Sequence, residues 1–355
     1  MAPRRRKRID PAHFELPVER IQSGFYTDVY LNRAREALRA KKGRAARVTW
    51  QVSAKRDGWL GGIDEAVALL KLGSDDFAAL EVNALYEGDF AEAWDTVLLV
   101  EGEYASFAHL ETLILGTLAR RTRVCTNVRE MVDAARPKPL YYFGARGDHA
   151  LLQPGDGYSA NAGGAASVST DAQGAFTGKK GAGTIPHSLI AAFGGDTVAA
   201  AKAMADILPD DVPLVVLADY DNDCVATSVA VARALEDRLW GVRLDTSENM
   251  VDTSVVSLMG TFRPNGVNAA LVWNVRNALD AEGFGDVKIV VSGGFDAERI
   301  TQFEDDGVPV DAYGVGTAVH EGRWDFTADV VRVDGKPQAK AGRELRPNGK
   351  LERVK

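Results

Sequence analysis

The chain has 355 residues, 46% of them apolar and 26% charged, with a formal net charge of −8. That length exceeds one ordinary domain, and the composition is that of a globular protein able to bury a core. The negative balance excludes nucleic acid as a default partner, so an anionic substrate must be met by local cations. Cys125 and Cys224 are the only cysteines, which excludes a disulfide framework and a multi-cysteine zinc site. No apolar run reaches the ~18 residues of a membrane span. No apolar signal core follows the basic run Arg4-Arg5-Arg6-Lys7-Arg8. The expectation is a cytoplasmic protein with no membrane partner.

Residues 1–20 read as a flexible basic N-terminus. Tyr26-Thr27-Asp28-Val29-Tyr30 then opens a helix, with Thr27 as its expected cap and Asp28 at its positive end. Residues 47–53 alternate like a strand, and 63–72 space Ala66, Val67, Leu69 and Leu70 as an amphipathic helix. Residues 96–100 form another apolar strand. The stretch 328–354 is basic and strand-like, with turns at Asp334-Gly335 and Asn348-Gly349. It is expected to fold back on the N-terminal part, so that 21–120 and 328–355 make a flanking α/β sandwich domain.

From Phe107 the rhythm changes. Phe107, Leu110, Ile114 and Leu118 share a helical face that leads into Arg120-Arg121-Thr122-Arg123. Strand–loop–helix units follow. Residues 139–143 exit through Gly144-Ala145-Arg146, 214–217 lead to Asp219, and 240–244 lead to Asp245. Residues 287–291 lead to Ser292-Gly293-Gly294, and 310–313 to Gly314-Val315-Gly316-Thr317. Alternating strands and helices argue for a parallel sheet, and five such units for closure into an irregular α/β barrel over 121–327.

Chemistry-bearing groups stand at the ends of these strands, where barrel enzymes place theirs. Arg243 and Asp245 lie two apart on a strand and leave it on one face, suited to ribose hydroxyls or to pyrophosphate with its cation. Asp219, Asp221 and Asp245 are oxygen ligands suited to Mg²⁺. Ser292-Gly293-Gly294 and Gly314, Gly316 and Thr317 have the composition of a phosphate and ribose cradle. His187, in Gly183-Thr184-Ile185-Pro186-His187-Ser188, needs a carboxylate to orient its ring, and Asp219 is the partner expected from position. His13, His109, His149 and His320 have no such company and read as structural or surface residues.

Taken in order, these segments resemble the nicotinate phosphoribosyltransferase family from about Tyr26 to the end of the chain. The resemblance implies an irregular α/β barrel with a flanking α/β domain. It implies transfer of a phosphoribosyl group from phosphoribosyl pyrophosphate to nicotinate, giving nicotinate mononucleotide and pyrophosphate. It further implies Mg²⁺, ATP as co-substrate, and a homodimer with shared active sites. Phe143 and Arg146 would hold the pyridine ring and its carboxylate, with Tyr26 and Thr27 of a neighbouring subunit covering the other face. His187 would be the histidine phosphorylated by ATP, working with Asp219, Arg243 and Asp245. Arg120, Arg121 and Arg123 are candidate cations for pyrophosphate across the interface. Asp171 keeps nicotinamide open as an alternative substrate, since a carboxylate there would accept amide hydrogens. A barrel acting on a sugar phosphate and a non-catalytic homologue also remain open.

Overall fold

The computed structural model describes residues 7–41 and 45–354; Arg4, Arg5 and Arg6 of the basic run lie outside the described residues. The chain forms two compact units. One runs to Thr126 and adds Pro154–Gly163 and the tail from Glu321. The other holds Asn127–Gln153 and Gly164–His320. Residues 154–163 therefore leave the expected barrel range, because buried Asp156 is held by Arg120 Nη2 at 2.6 Å and Arg121 Nη1 at 2.7 Å.

The first unit is built on a six-stranded sheet in the spatial order Lys336–Pro337, Phe326–Val333, Arg47–Ala54, Thr96–Glu103, Glu81–Ala84, Glu352–Arg353, with every pairing antiparallel. The tail thus returns to the N-terminal sheet. Trp50 and Val52 sit opposite Val100 and Leu98. They share a core with Val67 and Leu70 of the helix Ile63–Gly73 and with Ile114 and Leu118 of the helix Glu111–Ala135. Each such side chain contributes roughly 1.5–3 kcal/mol by leaving water. Gln51, on the opposite face of its strand, is buried too. Its Oε1 accepts from Arg346 N at 2.8 Å and its Nε2 donates to Glu344 O at 3.3 Å. The tail satisfies the polar groups that the sheet would otherwise bury unpaired.

Two expectations fail in this unit. Residues 8–20 are not loosely held. Arg8 donates to Asp64 Oδ1 at 2.8 Å and to the carbonyls of Ala84 and Leu85, and its guanidinium lies over the Tyr86 ring. A 3₁₀ turn, Pro11–Phe14, and a short helix, Val18–Gln22, follow. Buried Asp64 demands a cation, and Arg8 supplies it. Nor does Thr27 cap the helix Val29–Ala40. Its hydroxyl donates to His109 O at 2.6 Å, and Asp28 stands at the N-cap without a side-chain bond to the helix.

The second unit holds six parallel strands in the order Ser167–Val168, Leu140–Tyr142, Ala312–Val315, Lys288–Val291, Leu239–Leu244, Leu214–Leu217. Residues 181–185 span the gap between the two edge strands. Ala182 N donates to Val168 O at 2.7 Å, and Ile185 N donates to Val215 O at 3.2 Å. This irregular stave bridges the two edge strands and leads directly into His187. The strand expected at 310–313 instead spans Ala312–Val315. Val310 N turns back to Val308 O, and sheet pairing begins only after Asp311 N meets Ile289 O. Gly314 is therefore inside the strand.

One buried acid sets a pH dependence for the first unit. Glu87 accepts the N–H groups of Gly62 and Asp64 at the start of the helix Ile63–Gly73. Burial, with the Asp64 carboxylate next, pushes its carboxyl up to about 8. The folded chain then holds a proton that the unfolded chain releases, so the contribution of Glu87 to stability is fully present below its ordinary value of 4.5 and is lost as pH rises towards 8. Thermal unfolding across that window is expected to show a declining midpoint that Glu87→Gln flattens. Parallel curves for the two proteins would contradict the assignment.

Candidate active site

Strand register assembles the site at the carboxyl ends of the second unit's strands. Val291 pairs with Leu244 on one side and Tyr313 on the other, so Ser292 and Asp245 emerge side by side. Ser292 Oγ lies 2.6 Å from Asp245 Oδ1. Arg243, also on Leu239–Leu244, is gripped from several directions. Its Nε donates to Ser292 Oγ at 2.7 Å, Nη1 to Thr184 Oγ1 at 3.1 Å, and Nη2 pairs with Asp245 Oδ2 at 3.0 Å. The guanidinium carbon stands 4.9 Å from the centre of the Phe143 ring. A planar fork held on its edges and stacked on an aromatic has one geometry available, which a lysine could not reproduce.

Asp219 follows the strand Leu214–Leu217, and its Oδ1 lies 3.1 Å from His187 Nε2. The Asp219 side chain is 8% exposed and that of His187 46%. Burial holds the Asp219 carboxyl above the usual carboxylate range; His187 opposes the rise and Asp245 adds to it. With Nε2 engaged, Nδ1 of His187 is the ring nitrogen left for an incoming group.

Phe143, Arg146, Arg243 and Asp245 line a polar cavity of about 420 Å³, together with Ser292, Gly293, Gly294, Gly314, Gly316 and Thr317. Gly293 and Gly294 take φ values of +84° and +76°, a turn that other residues resist. Arg299 pins this turn by donating to both glycine carbonyls, at 3.0 and 3.1 Å. Gly314 carries no side chain because the Phe143 ring fills the place: a Cβ would stand 2.4 Å from Phe143 Cε2. Phe143 also borders a second cavity of about 430 Å³, lined mainly by apolar groups such as Tyr141, Met204, Val215 and Trp240.

The structure thus brings together ten of the residues singled out from the sequence, with His187 and Asp219 paired on the same rim. Others do not join them. Tyr26 and Thr27 belong to the first unit and line neither cavity; Thr27 is committed to His109 O. Tyr26 instead lies in an exposed apolar patch with Phe25, Val29 and Tyr30. Asp221 is exposed on the turn after Asp219, and among the described residues no three His, Cys, Asp or Glu side chains form a metal cluster. The trio Asp219, Asp221 and Asp245 is corrected accordingly. Asp171 accepts Gly181 N at 2.9 Å and lines neither cavity, so the argument for an amide substrate loses its carboxylate. Arg120 and Arg121 are bound to Asp156 and Glu65 within the first unit. Sequence reading missed two contributors, Thr184 and Arg299. Thr184 lay inside a motif read only for its histidine, and a cation six residues beyond a Gly-Gly turn was the available signal for Arg299.

Residues 28–122 match the quinolinate phosphoribosyl transferase N-terminal domain and residues 124–327 its C-terminal domain. A nicotinate phosphoribosyltransferase of Mycobacterium tuberculosis (strain H37Rv) is 30% identical over 287 residues, 78% of this chain and 59% of that protein. One from Bacillus subtilis (strain 168) is 25% identical over 66% of this chain and 44% of its own length. The chain therefore spans about half the length of these curated relatives. Among solved structures, the nicotinate-nucleotide pyrophosphorylase from Pyrococcus furiosus superposes with a TM-score of 0.79 at 34% identity, covering 95% of this chain and 84% of that one. Human nicotinic acid phosphoribosyltransferase (TM-score 0.64, 18% identity, covering 88% of this chain and 75% of that one) shares the fold.

The Gly314 contact is directly testable. Gly314→Ala is expected to cost about 1–3 kcal/mol in urea unfolding, because the Phe143 ring must move out of an overpacked position. Unchanged stability would show that the ring does not depend on this space.

Proposed function

The chain belongs to the quinolinate phosphoribosyltransferase family, and on that footing we propose that it transfers the phosphoribosyl group of phosphoribosyl pyrophosphate to nicotinate in NAD biosynthesis. The observation that carries this reading is the Arg243 cluster beside the glycine turns: one fixed cation, one flat aromatic and a polar cradle in one cavity. In the transfer, the bond from ribose C1 to the pyrophosphate oxygen breaks and the pyridine nitrogen bonds to C1. The protein's work is to align the two and stabilise charge as it separates. Phe143 offers a face for the ring. Arg146 and Arg243 are the cations for its carboxylate and for the phosphates, and Ser292, Gly293, Gly294, Gly314, Gly316 and Thr317 form the cradle.

Mg²⁺ fits Asp219 and Asp245: the Asp245 carboxylate is close enough to help hold the Asp219 carboxyl above its usual range. A hard cation needs only one or two carboxylates when phosphate oxygens and water complete its shell, and it would neutralise the leaving group. His187 would accept a phosphoryl group from ATP at Nδ1, forming the N–P bond as ADP leaves, while Asp219 holds the Nε2 proton. Exposed Phe25, Tyr26, Val29 and Tyr30 support assembly with a second copy, which would bring its Tyr26 to the ring.

Nicotinate is favoured over quinolinate by charge. Arg146 and Arg243 are the only cations lining the polar cavity among the described residues, and Asp245 already balances Arg243. A second ring carboxylate would have no cation of its own. Quinolinate is the second reading, favoured by the family patterns matched over 28–122 and 124–327.

Incubation with phosphoribosyl pyrophosphate, Mg²⁺ and each of nicotinate, quinolinate and nicotinamide, with and without ATP, tests the reading by mass spectrometry. Nicotinate is expected to be consumed fastest. Mononucleotide and carbon dioxide from quinolinate alone would transfer the assignment to the second reading. Phosphoribosyl pyrophosphate bound without turnover would mark a non-catalytic homologue. His187→Ala is expected to abolish stimulation by ATP while lowering ATP-independent transfer much less. A variant that still hydrolyses ATP but has lost basal transfer would contradict the phosphohistidine role.

A further inference from the structure

The transfer described above leaves His320 without a role. It closes the short 3₁₀ turn Thr317–His320, just past the glycine-bearing strand Ala312–Val315. Its Nε2 lies 3.1 Å from Gly144 O, while its Nδ1 is buried with no hydrogen-bond partner. A proton on Nδ1 would be stranded away from water, so the ring carries it at Nε2 and donates to the Gly144 carbonyl.

That bond ties together two loops the site depends on. Gly144 opens the turn Gly144–Arg146, which carries Arg146. The turn Thr317–His320 carries Thr317. Both are fixed at the backbone by further bonds. Phe143 N donates to Val315 O at 2.7 Å, and Asn127 Nδ2 donates to Ala318 O and Val319 O at 3.3 and 2.9 Å. Packing closes around the imidazole as well. A Cβ on Gly147 would stand 2.3 Å from His320 Cδ2, although φ there is an ordinary −74°. The Arg146 side chain is exposed and makes no hydrogen bond to the described residues, so the position of its backbone turn sets the region its guanidinium can reach.

We propose that His320 is a positioning residue: its Nε2–H bond to Gly144 O fixes Arg146 relative to Thr317, and so sets where the phosphate of phosphoribosyl pyrophosphate sits beside the pyridine ring. The inference rests on the reading of Arg146 and Thr317 as substrate contacts.

Three variants test it: His320→Leu removes the donor, His320→Gln keeps an N–H at similar reach, and Gly147→Ala pushes the ring away from the other side. The readouts are the Kd of phosphoribosyl pyrophosphate by calorimetry, KM and kcat with nicotinate, and the unfolding midpoint. His320→Leu is expected to weaken the Kd and raise KM by about 5- to 10-fold, the equivalent of one net hydrogen bond, with a smaller change in kcat. His320→Gln should stay within about 2-fold of the unaltered protein, since the bond survives. Gly147→Ala should reproduce the His320→Leu effect, and it carries the test alone if His320→Leu does not fold. A lowered midpoint with Kd and KM unchanged would reduce His320 to a structural role and overturn the proposal, as would equal loss in the leucine and glutamine variants. If the unaltered protein binds phosphoribosyl pyrophosphate but turns over no pyridine, the functional reading falls while the Kd comparison still decides the coupling. If it binds none, both fall.

Discussion

The site depends on immobilising one cation. Arg243 is held by Ser292, Thr184 and Asp245 and stacked on Phe143. Two of those partners lie 49 and 59 residues away along the chain, so it is the folded sheet, with the segment 181–185 beside it, that presents them together. A guanidinium gripped in this way costs little reorganisation when charge develops beside it, which is the main advantage a preorganised site has over water. The same grip explains the irregular stave. Residues 181–185 pair with Val168 at one end and Val215 at the other, and within them Thr184 reaches Arg243. Two residues after the stave, His187 reaches Asp219. The bridge between the edge strands and the two halves of the chemistry thus share one short segment.

The first unit uses its charges differently. Arg8 neutralises Asp64, and Arg121 lies between Glu65 and Asp156, all in largely buried surroundings. Charges taken from water must be paired, and once paired they are not available to a ligand. The arginine-rich stretch at 120–123 therefore reads as an anion site in the sequence and folds mostly into internal ion pairs. Glu87 shows the other outcome: buried beside another acid, it keeps its proton instead of finding a cation.

Much of this is legible in the sequence. Apolar runs ending in Asp219, Asp245 and Ser292-Gly293-Gly294 have the period and punctuation of parallel strands, and a strand's carboxyl end is where its neighbours' ends also lie. Tyr26 belongs to the first unit, and spacing along a chain says nothing about which copy of the chain its loop will meet. The strand expected at 310–313 begins two residues later because Val308 and Val310 are apolar yet turn on each other rather than pairing. Thr27 looked like a cap since its type suits one; its hydroxyl found a closer acceptor in a carbonyl 82 residues away. Local chemistry predicts local partners, and at Thr27 a long-range acceptor overrides them. His320 was passed over for the same reason, its acceptor lying 176 residues earlier.

The most direct test of the account is the steady-state comparison of Arg243→Lys with the unaltered protein. The substitution keeps the positive charge but cannot satisfy Ser292, Thr184 and Asp245 at once. If a fixed planar cation organises the site, kcat/KM should fall by about 100-fold or more with the unfolding midpoint nearly unchanged. Activity within about 3-fold of the unaltered enzyme would mean that charge alone suffices, and the central claim would be wrong.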